Sequence, residues 1–141
     1  MKGKNENCGG DTRMLHIFYT EEERRSCGGS AFMEIQFCKL PAETKIKDLV
    51  AVDSIKNWQS DSLYINEENA FYYGYSDILN CGIYNNLKSG VVDIYGINYY
   101  APTFTDSIIK RLNEEKPVEY EILVEWLNKA KRYNGFYILG I

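Results

Sequence analysis

Residues 136–141, FYILGI, carry no charged side chain and directly follow the turn-forming pair Asn134 and Gly135. A short run of apolar and aromatic residues bounded by a turn signal is typical of a strand whose two faces are both covered. The sequence therefore predicts that this segment lies in the middle of a β-sheet and not at its edge.

The preceding residues alternate between strand-like and helix-like patterns. In residues 31–40, Met33, Ile35 and Phe37 alternate with polar or small side chains, which is the two-residue period of a half-buried strand. This segment and residues 14–20 predict a hairpin with a long loop. The strand-like segments are 14–20, 31–40, 62–66, 90–102 and 136–141. The helix-like segments are 44–58 (its later half, 52–58, is ambiguous), 77–87 (with Ser76 as N-cap), 104–116 (with Thr103 or Thr105 as cap) and 117–132.

This order of segments predicts an α+β fold. We expect a mixed, mainly antiparallel sheet with about three helices packed on one face and the C-terminal strand buried in the sheet. A chain of 141 residues has the length of one ordinary domain, so residues 14–141 are expected to form a single domain. Residues 1–13 are polar and contain glycine, which predicts a flexible leader.

The sequence predicts a cytoplasmic protein with reduced cysteines. Its apolar runs are far shorter than the roughly 20 residues that span a bilayer, and its start lacks the apolar stretch of a signal peptide. The four cysteines do not form the close pairs of a structural zinc site, so they are expected to be free thiols without a metal. They are Cys8, Cys27, Cys38 and Cys81.

Residues typical of catalytic sites are sparse. The one histidine, His16, lies between Leu15 and Ile17 in a strand pattern, which favours a structural role. A cysteine–histidine nucleophile pair would need one of the cysteines near His16, and the sequence leaves that open. The glycine pairs at 9–10 and 28–29 lack the lysine of a phosphate loop. We therefore expect no enzyme, no cofactor and no catalytic residue.

The charge of the chain is concentrated in one window. Residues 61–100 contain five carboxylates against Lys88 alone, an excess equal to the formal net charge of −4 of the whole chain. No five-residue window is basic enough to neutralise a run of phosphates, which disfavours direct nucleic-acid binding. The same window holds eight of the twelve tyrosines.

Eight tyrosines in forty residues are difficult to bury together, because each buried hydroxyl needs a hydrogen-bond partner. Exposed tyrosine is enriched at protein interfaces, and carboxylates around it would attract a basic partner. The sequence therefore predicts a partner-binding surface for a basic protein. Its candidate residues are Glu67, Glu68, Tyr72, Tyr73, Tyr75, Asp77, Tyr84, Asp93, Tyr99 and Tyr100.

In size and composition the chain resembles the bacterial immunity proteins that neutralise toxic nucleases, and it resembles phage-encoded nuclease inhibitors equally well. The resemblance implies a non-enzymatic inhibitor that blocks the basic active site of a toxin or nuclease through the acidic, tyrosine-rich window. Two other classes stay open. One is a small-ligand or carbohydrate-binding domain, or a hydrolase that uses carboxylates, and the other is a structural or regulatory subunit of unspecified oligomeric state.

Overall fold

The computed structural model describes residues 13–23, 33–55 and 59–140. Within them, seven strands form one sheet in the order β1-β3-β2-β7-β6-β4-β5, and every neighbouring pair is antiparallel. The predicted α+β fold is confirmed. The sheet was expected to be mixed and mainly antiparallel, and all of its described strand pairs are antiparallel. The strands are β1 Leu15–His16, β2 Met33–Phe37, β3 Leu63–Ile65, β4 Gly82–Ile83, β5 Ser89–Gly90, β6 Ile97–Tyr100 and β7 Phe136–Leu139.

The C-terminal strand β7 lies at the centre of the sheet, as its apolar sequence predicts. It pairs with β2 on one side, where Ile138 is opposite Ile35, and with β6 on the other, where Tyr137 is opposite Tyr99. Phe136, Tyr137 and Ile138 are all buried. The strand is uniformly apolar because both of its faces are covered.

Helices cover both faces of the sheet, although the longer ones share one face. Helices α2 (Glu68–Tyr75), α3 (Thr105–Glu115) and α4 (Tyr120–Ala130) pack with Phe136 and Ile138 in the main core. On the opposite face, Leu49 and Val50 at the end of the short helix α1 (Ile46–Leu49) pack with Tyr137. The expectation of about three helices on one face therefore omits α1 and two 3-10 segments. The helices are α1 Ile46–Leu49, α2 Glu68–Tyr75, α3 Thr105–Glu115 and α4 Tyr120–Ala130, with 3-10 turns at Val52–Ser54 and Pro102–Phe104.

The connection between α3 and α4 contains two residues with left-handed backbone. Lys116, at φ 50°, ends α3 and donates its N–H to the Leu112 carbonyl, which is the usual geometry of a helix C-terminus. Glu119, at φ 62°, precedes α4, and its carboxylate accepts hydrogen bonds from the N–H groups of Met14 and Leu15. The carboxylate thereby joins this connection to β1.

Three local predictions are wrong. β1 and β2 do not form a hairpin with each other, because β3 lies between them and pairs with both. Residues 77–87 are not a helix: a turn covers 76–81 and β4 follows, while the helix lies earlier, at 68–75. The long strand expected at 90–102 is divided into β5 and β6 by a loop at 91–96.

Several other expectations concern residues outside the described ranges. The leader at 1–13 is described only at Arg13, and Cys8 and Cys27 are not described. Cys38 and Cys81 are free thiols, as predicted for these two. None of the helices in the described ranges is both long enough and apolar enough to cross a membrane.

Candidate functional site

Three of the ten predicted site residues belong to the core and not to the surface. Tyr75, Tyr99 and Tyr100 are at most 1% exposed. Tyr99 donates its hydroxyl hydrogen to the Asn134 carbonyl at 2.6 Å, and Tyr100 donates to the Leu79 carbonyl at 2.9 Å. Tyr75 donates to the Val118 carbonyl. For these three tyrosines, the prediction of an exposed binding residue is wrong.

Their electrostatics fit a structural role. Burial raises the pKa of Tyr75, Tyr99 and Tyr100, because the charged phenolate would lose its hydration. The carboxylates of Glu119 and Glu121 raise the pKa of Tyr75 further. Each hydroxyl therefore remains an uncharged donor at neutral pH and satisfies a backbone carbonyl of another segment.

Helix α2 carries one aromatic side chain on its outer face and one at the margin of its buried face. Phe71 and Tyr75, four residues apart, are buried on the face that meets the core, so with 3.6 residues per turn Tyr73 lies on the opposite side and Tyr72 flanks the buried face. Tyr73 is 84% exposed, and Tyr72 is half-buried beside it. The two rings meet edge to face with their centroids 5.6 Å apart. The result is a pair of aromatic rings in contact at the surface.

Tyr84 extends this aromatic surface onto the β4–β5 hairpin. Its hydroxyl donates to the Val91 carbonyl at 2.5 Å. A Cβ at Gly90 would lie 2.6 Å from that hydroxyl oxygen, so any larger residue at position 90 would displace the end of the Tyr84 side chain. Burial raises the pKa of Tyr84, and so do the neighbouring Asp93 and Tyr72. Through its hydroxyl hydrogen bond Tyr84 contacts the start of the loop at 91–96, which carries Asp93.

Asp93 is positioned by the loop at 91–96. The buried Asn98 side chain accepts the Asp93 N–H at 2.8 Å and donates to the carbonyls of Asp93 and Ile138, each at 2.9 Å. The Asp93 carboxylate accepts the Tyr95 N–H at 3.0 Å. Tyr95 is 77% exposed. The loop therefore carries a carboxylate and an exposed aromatic side chain two residues apart.

The remaining predicted carboxylates differ in their pairing. Asp77 forms an ion pair with Arg111 at 2.8 Å, and Arg111 also pairs with Glu115. By contrast, no ion pair within the described parts of the chain involves Glu67, Glu68 or Asp93. These three carboxylates supply the negative charge of the window that is not locally neutralised.

We call the surface formed by Tyr72, Tyr73, Tyr84, Asp93 and Tyr95 the aromatic patch. A ring contact joins Tyr72 to Tyr73, the Tyr84 hydroxyl contacts the loop at 91–96, and within that loop the Tyr95 N–H donates to the Asp93 carboxylate. The sequence prediction omitted Tyr95, although Asp93 two residues before it and Gly96 directly after it are a turn signal that favours an exposed side chain between them. Glu67 and Glu68 lie at the start of α2, the helix that carries Tyr72 and Tyr73.

His16 and Glu34, two buried titratable residues, are engaged in structural contacts. His16 is buried in β1, with its Nε2 atom 3.0 Å from Asn66 Nδ2 and its ring stacked on Phe18. The buried Glu34 carboxylate accepts hydrogen bonds from Ser62 at 2.7 Å and Gln36 at 2.9 Å. Over residues 13–23, 33–55 and 59–140, no group of three His, Cys, Asp or Glu side chains could hold a metal ion.

Two cavities lie away from the aromatic patch. One, of about 280 Å³, is lined in part by Cys38, Lys39 and Arg132. The other, of about 450 Å³, lies between β1 and α4, and its polar lining includes Glu121 and Glu125. Neither cavity is lined by a residue of the aromatic patch.

Comparison of the chain with protein-family models, with curated proteins and with solved structures finds no match.

Proposed function

We propose that this chain is a non-enzymatic protein-binding module that inhibits a basic toxin or nuclease by covering its active site with the aromatic patch. The observation that carries the proposal is the exposure of Tyr73 (84%) and Tyr95 (77%) beside carboxylates that have no described ion-pair partner. These groups belong to the window that holds the whole net charge.

The aromatic rings supply the short-range part of the interaction. A tyrosine side chain offers a large contact area but loses little conformational entropy when it is held at an interface. In this patch Tyr72 and Tyr73 already support each other, and Tyr84 is fixed by its hydrogen bond to the Val91 carbonyl. Binding would therefore require little further ordering, which favours affinity.

The carboxylates supply the long-range part. Glu67, Glu68 and Asp93 create a negative field that accelerates encounter with a cationic surface and disfavours acidic partners. The active site of a nuclease fits such a field, because a protein that binds a polyanion has a basic cleft. Asp77 contributes less, since Arg111 neutralises it. The resemblance in size and composition to bacterial immunity proteins and phage-encoded nuclease inhibitors supports the same class.

The proposal is tested by expressing the full chain together with each of a panel of toxic, basic nuclease domains, including any encoded by the neighbouring gene. We expect at least one domain to be bound and inhibited, with survival of the host cells. Failure of every domain to bind the purified protein at low salt would contradict the proposal.

The acid residues provide a second readout with a matched control. Combining Glu67→Gln, Glu68→Gln and Asp93→Asn should slow association by about tenfold or more at low salt and reduce its salt dependence. Glu43→Gln changes an exposed carboxylate outside the window and should leave the association rate unchanged. Equal association rates for the triple variant and the unmodified protein would contradict the proposal that these carboxylates accelerate encounter with the partner.

A second candidate function is favoured by the 450 Å³ cavity. Its volume lies within the range of small-molecule sites, and Tyr19, Glu121 and Glu125 line it together. An aromatic ring and carboxylates in one cavity suit a carbohydrate, as a bound ligand or as the substrate of a carboxylate-dependent hydrolase. Titration with neutral oligosaccharides should then give saturable binding that Glu125→Gln weakens, and absence of binding would exclude this candidate.

A further inference from the structure

The tip of the β4–β5 hairpin is closed by its own hydrogen bonds. Tyr84 donates its N–H to the Lys88 carbonyl at 2.8 Å, and Leu87 donates to the Tyr84 carbonyl at 2.9 Å. The Asn86 side chain accepts the Lys88 N–H at 2.9 Å. These bonds close residues 84–88 into a hydrogen-bonded turn.

Leu87 is an unusual residue for its position in this tip. Its φ of 71° lies in the left-handed region, which glycine and asparagine tolerate and a leucine occupies only against a steric penalty. Its side chain is also 56% exposed, so burial offsets little of that penalty. A strained backbone that stability does not explain is a reason to look for a function.

The strained leucine is continuous with the aromatic patch. Tyr84, at the base of the tip, is a member of the patch, and Val91, which accepts its hydroxyl hydrogen, is 44% exposed. Leu87 and Val91 thus add apolar surface to the part of the chain that carries aromatic rings and carboxylates without an ion-pair partner among the described residues. Fully desolvated apolar anchors surrounded by polar groups are the usual composition of an interface centre.

We propose that Leu87 is a preorganised apolar anchor, which enters a hydrophobic pocket within or beside the cationic surface of the partner. This inference rests on the proposed function and specifies the partner further. The carboxylates Glu67, Glu68 and Asp93 select a basic protein, and an apolar side chain at the hairpin tip requires a concave apolar pocket on that protein. Because the tip already forms the hydrogen bonds of its turn, insertion would require less ordering of this chain than insertion of an unstructured loop.

Leu87→Asn separates binding from folding. Asparagine accepts the left-handed conformation, so the variant should keep or raise the melting temperature while it loses the apolar side chain. Lys116→Asn is the matched control, because Lys116 has a left-handed backbone at the C-terminus of α3 and lies outside the patch. It should keep or raise the melting temperature without changing binding.

The probe is whichever basic nuclease domain of the panel binds the unmodified protein, and the readout is Kd by calorimetry together with thermal unfolding. We expect Leu87→Asn to weaken binding by about 30-fold, the loss expected when a leucine side chain is no longer buried on binding, and Lys116→Asn to leave Kd unchanged. An unchanged Kd for a folded Leu87→Asn protein, or for Leu87→Gly if the first variant fails to fold, would overturn the anchor but leave the proposed function intact. Absence of any binding domain would overturn both.

Discussion

Tyrosines of the same window serve two different purposes in this molecule. Tyr99 and Tyr100 in β6 are buried on opposite faces of the sheet, and each hydroxyl donates to a backbone carbonyl of a distant segment. Tyr73 and Tyr95, on α2 and the loop at 91–96, are mostly exposed. Tyr99 and Tyr100 stabilise the fold, whereas Tyr73 and Tyr95 contribute little to its stability.

Both regions use the same residue type, and they differ in the groups that surround each tyrosine. A tyrosine in a central strand finds apolar neighbours for its ring and a carbonyl for its hydroxyl, so burial stabilises it. The same side chain on the solvent side of a helix lacks those neighbours. Exposed aromatic surface of this kind is typical of interaction sites when it is contiguous.

The largest effect is expected from the centre of the sheet. Deleting residues 136–141 removes β7 from between β2 and β6. Each fully buried large apolar side chain contributes about 1.5–3 kcal/mol, against a total stability of about 5–15 kcal/mol. The truncated protein should therefore show no cooperative thermal unfolding by circular dichroism. A cooperative transition near the parent temperature would show that β7 is dispensable.

A single core tyrosine should have the next largest effect. Tyr100→Ala removes a ring that stacks on Phe136 with a centroid distance of 4.7 Å, and we expect a loss of about 3–5 kcal/mol in the free energy of unfolding. Tyr100→Phe removes only the hydrogen bond to Leu79 and should cost about 1 kcal/mol. Urea denaturation measures both. If both variants lost an equally small free energy of unfolding, the Tyr100 ring would not contribute to the core and the prediction would be contradicted.

The buried tyrosines should also make the fold sensitive to alkali. Burial raises the pKa of Tyr75, Tyr99, Tyr100 and Tyr137 above the ordinary value of 10.0. Their contribution to stability is complete below about pH 10 and decreases at higher pH, because the unfolded chain then releases protons that the native state retains.

This loss can reach about 1.4 kcal/mol per pH unit for each buried tyrosine. Urea midpoints measured between about pH 9 and about pH 11 should therefore fall steeply above about pH 10. Absorbance at the phenolate band should show these four tyrosines ionising together with unfolding. A constant urea midpoint through that range would contradict their burial.

The elements with strong local signals were predictable from the sequence. β7 is recognised by its apolar run, and α3 and α4 by their apolar stripes and by Pro117 between them. The turn and strand at 76–83 were not, because Ile78 and Leu79 also fit a helical pattern. What decides the structure there is distant: a Cβ at Gly82 would lie 2.9 Å from the Tyr100 ring, so β4 approaches β6 closely.

The location of the candidate site was predictable, but its membership was not. The concentration of acid and tyrosine at 61–100 is a property of composition and can be read directly. Whether a tyrosine is buried depends on which element it joins and on what covers that element. Tyr99 and Tyr100 are adjacent and both buried, because each face of β6 is covered by a different part of the chain.

The central claim is that the exposed tyrosines bind a partner and the buried ones maintain the fold. The most direct test measures Kd for the basic nuclease domain and melting temperature for Tyr73→Ala and Tyr95→Ala, with Tyr19→Ala as control. Tyr19 is 73% exposed and follows β1 at the opposite edge of the sheet. All three variants should melt within a few degrees of the parent, since surface substitutions change stability by about 0.5 kcal/mol or less.

At least one patch variant should weaken binding by about 30-fold, the effect of a hot-spot residue, whereas Tyr19→Ala should bind as the parent does. Parent-like Kd values for both Tyr73→Ala and Tyr95→Ala, or a loss of folding in both, would contradict the claim.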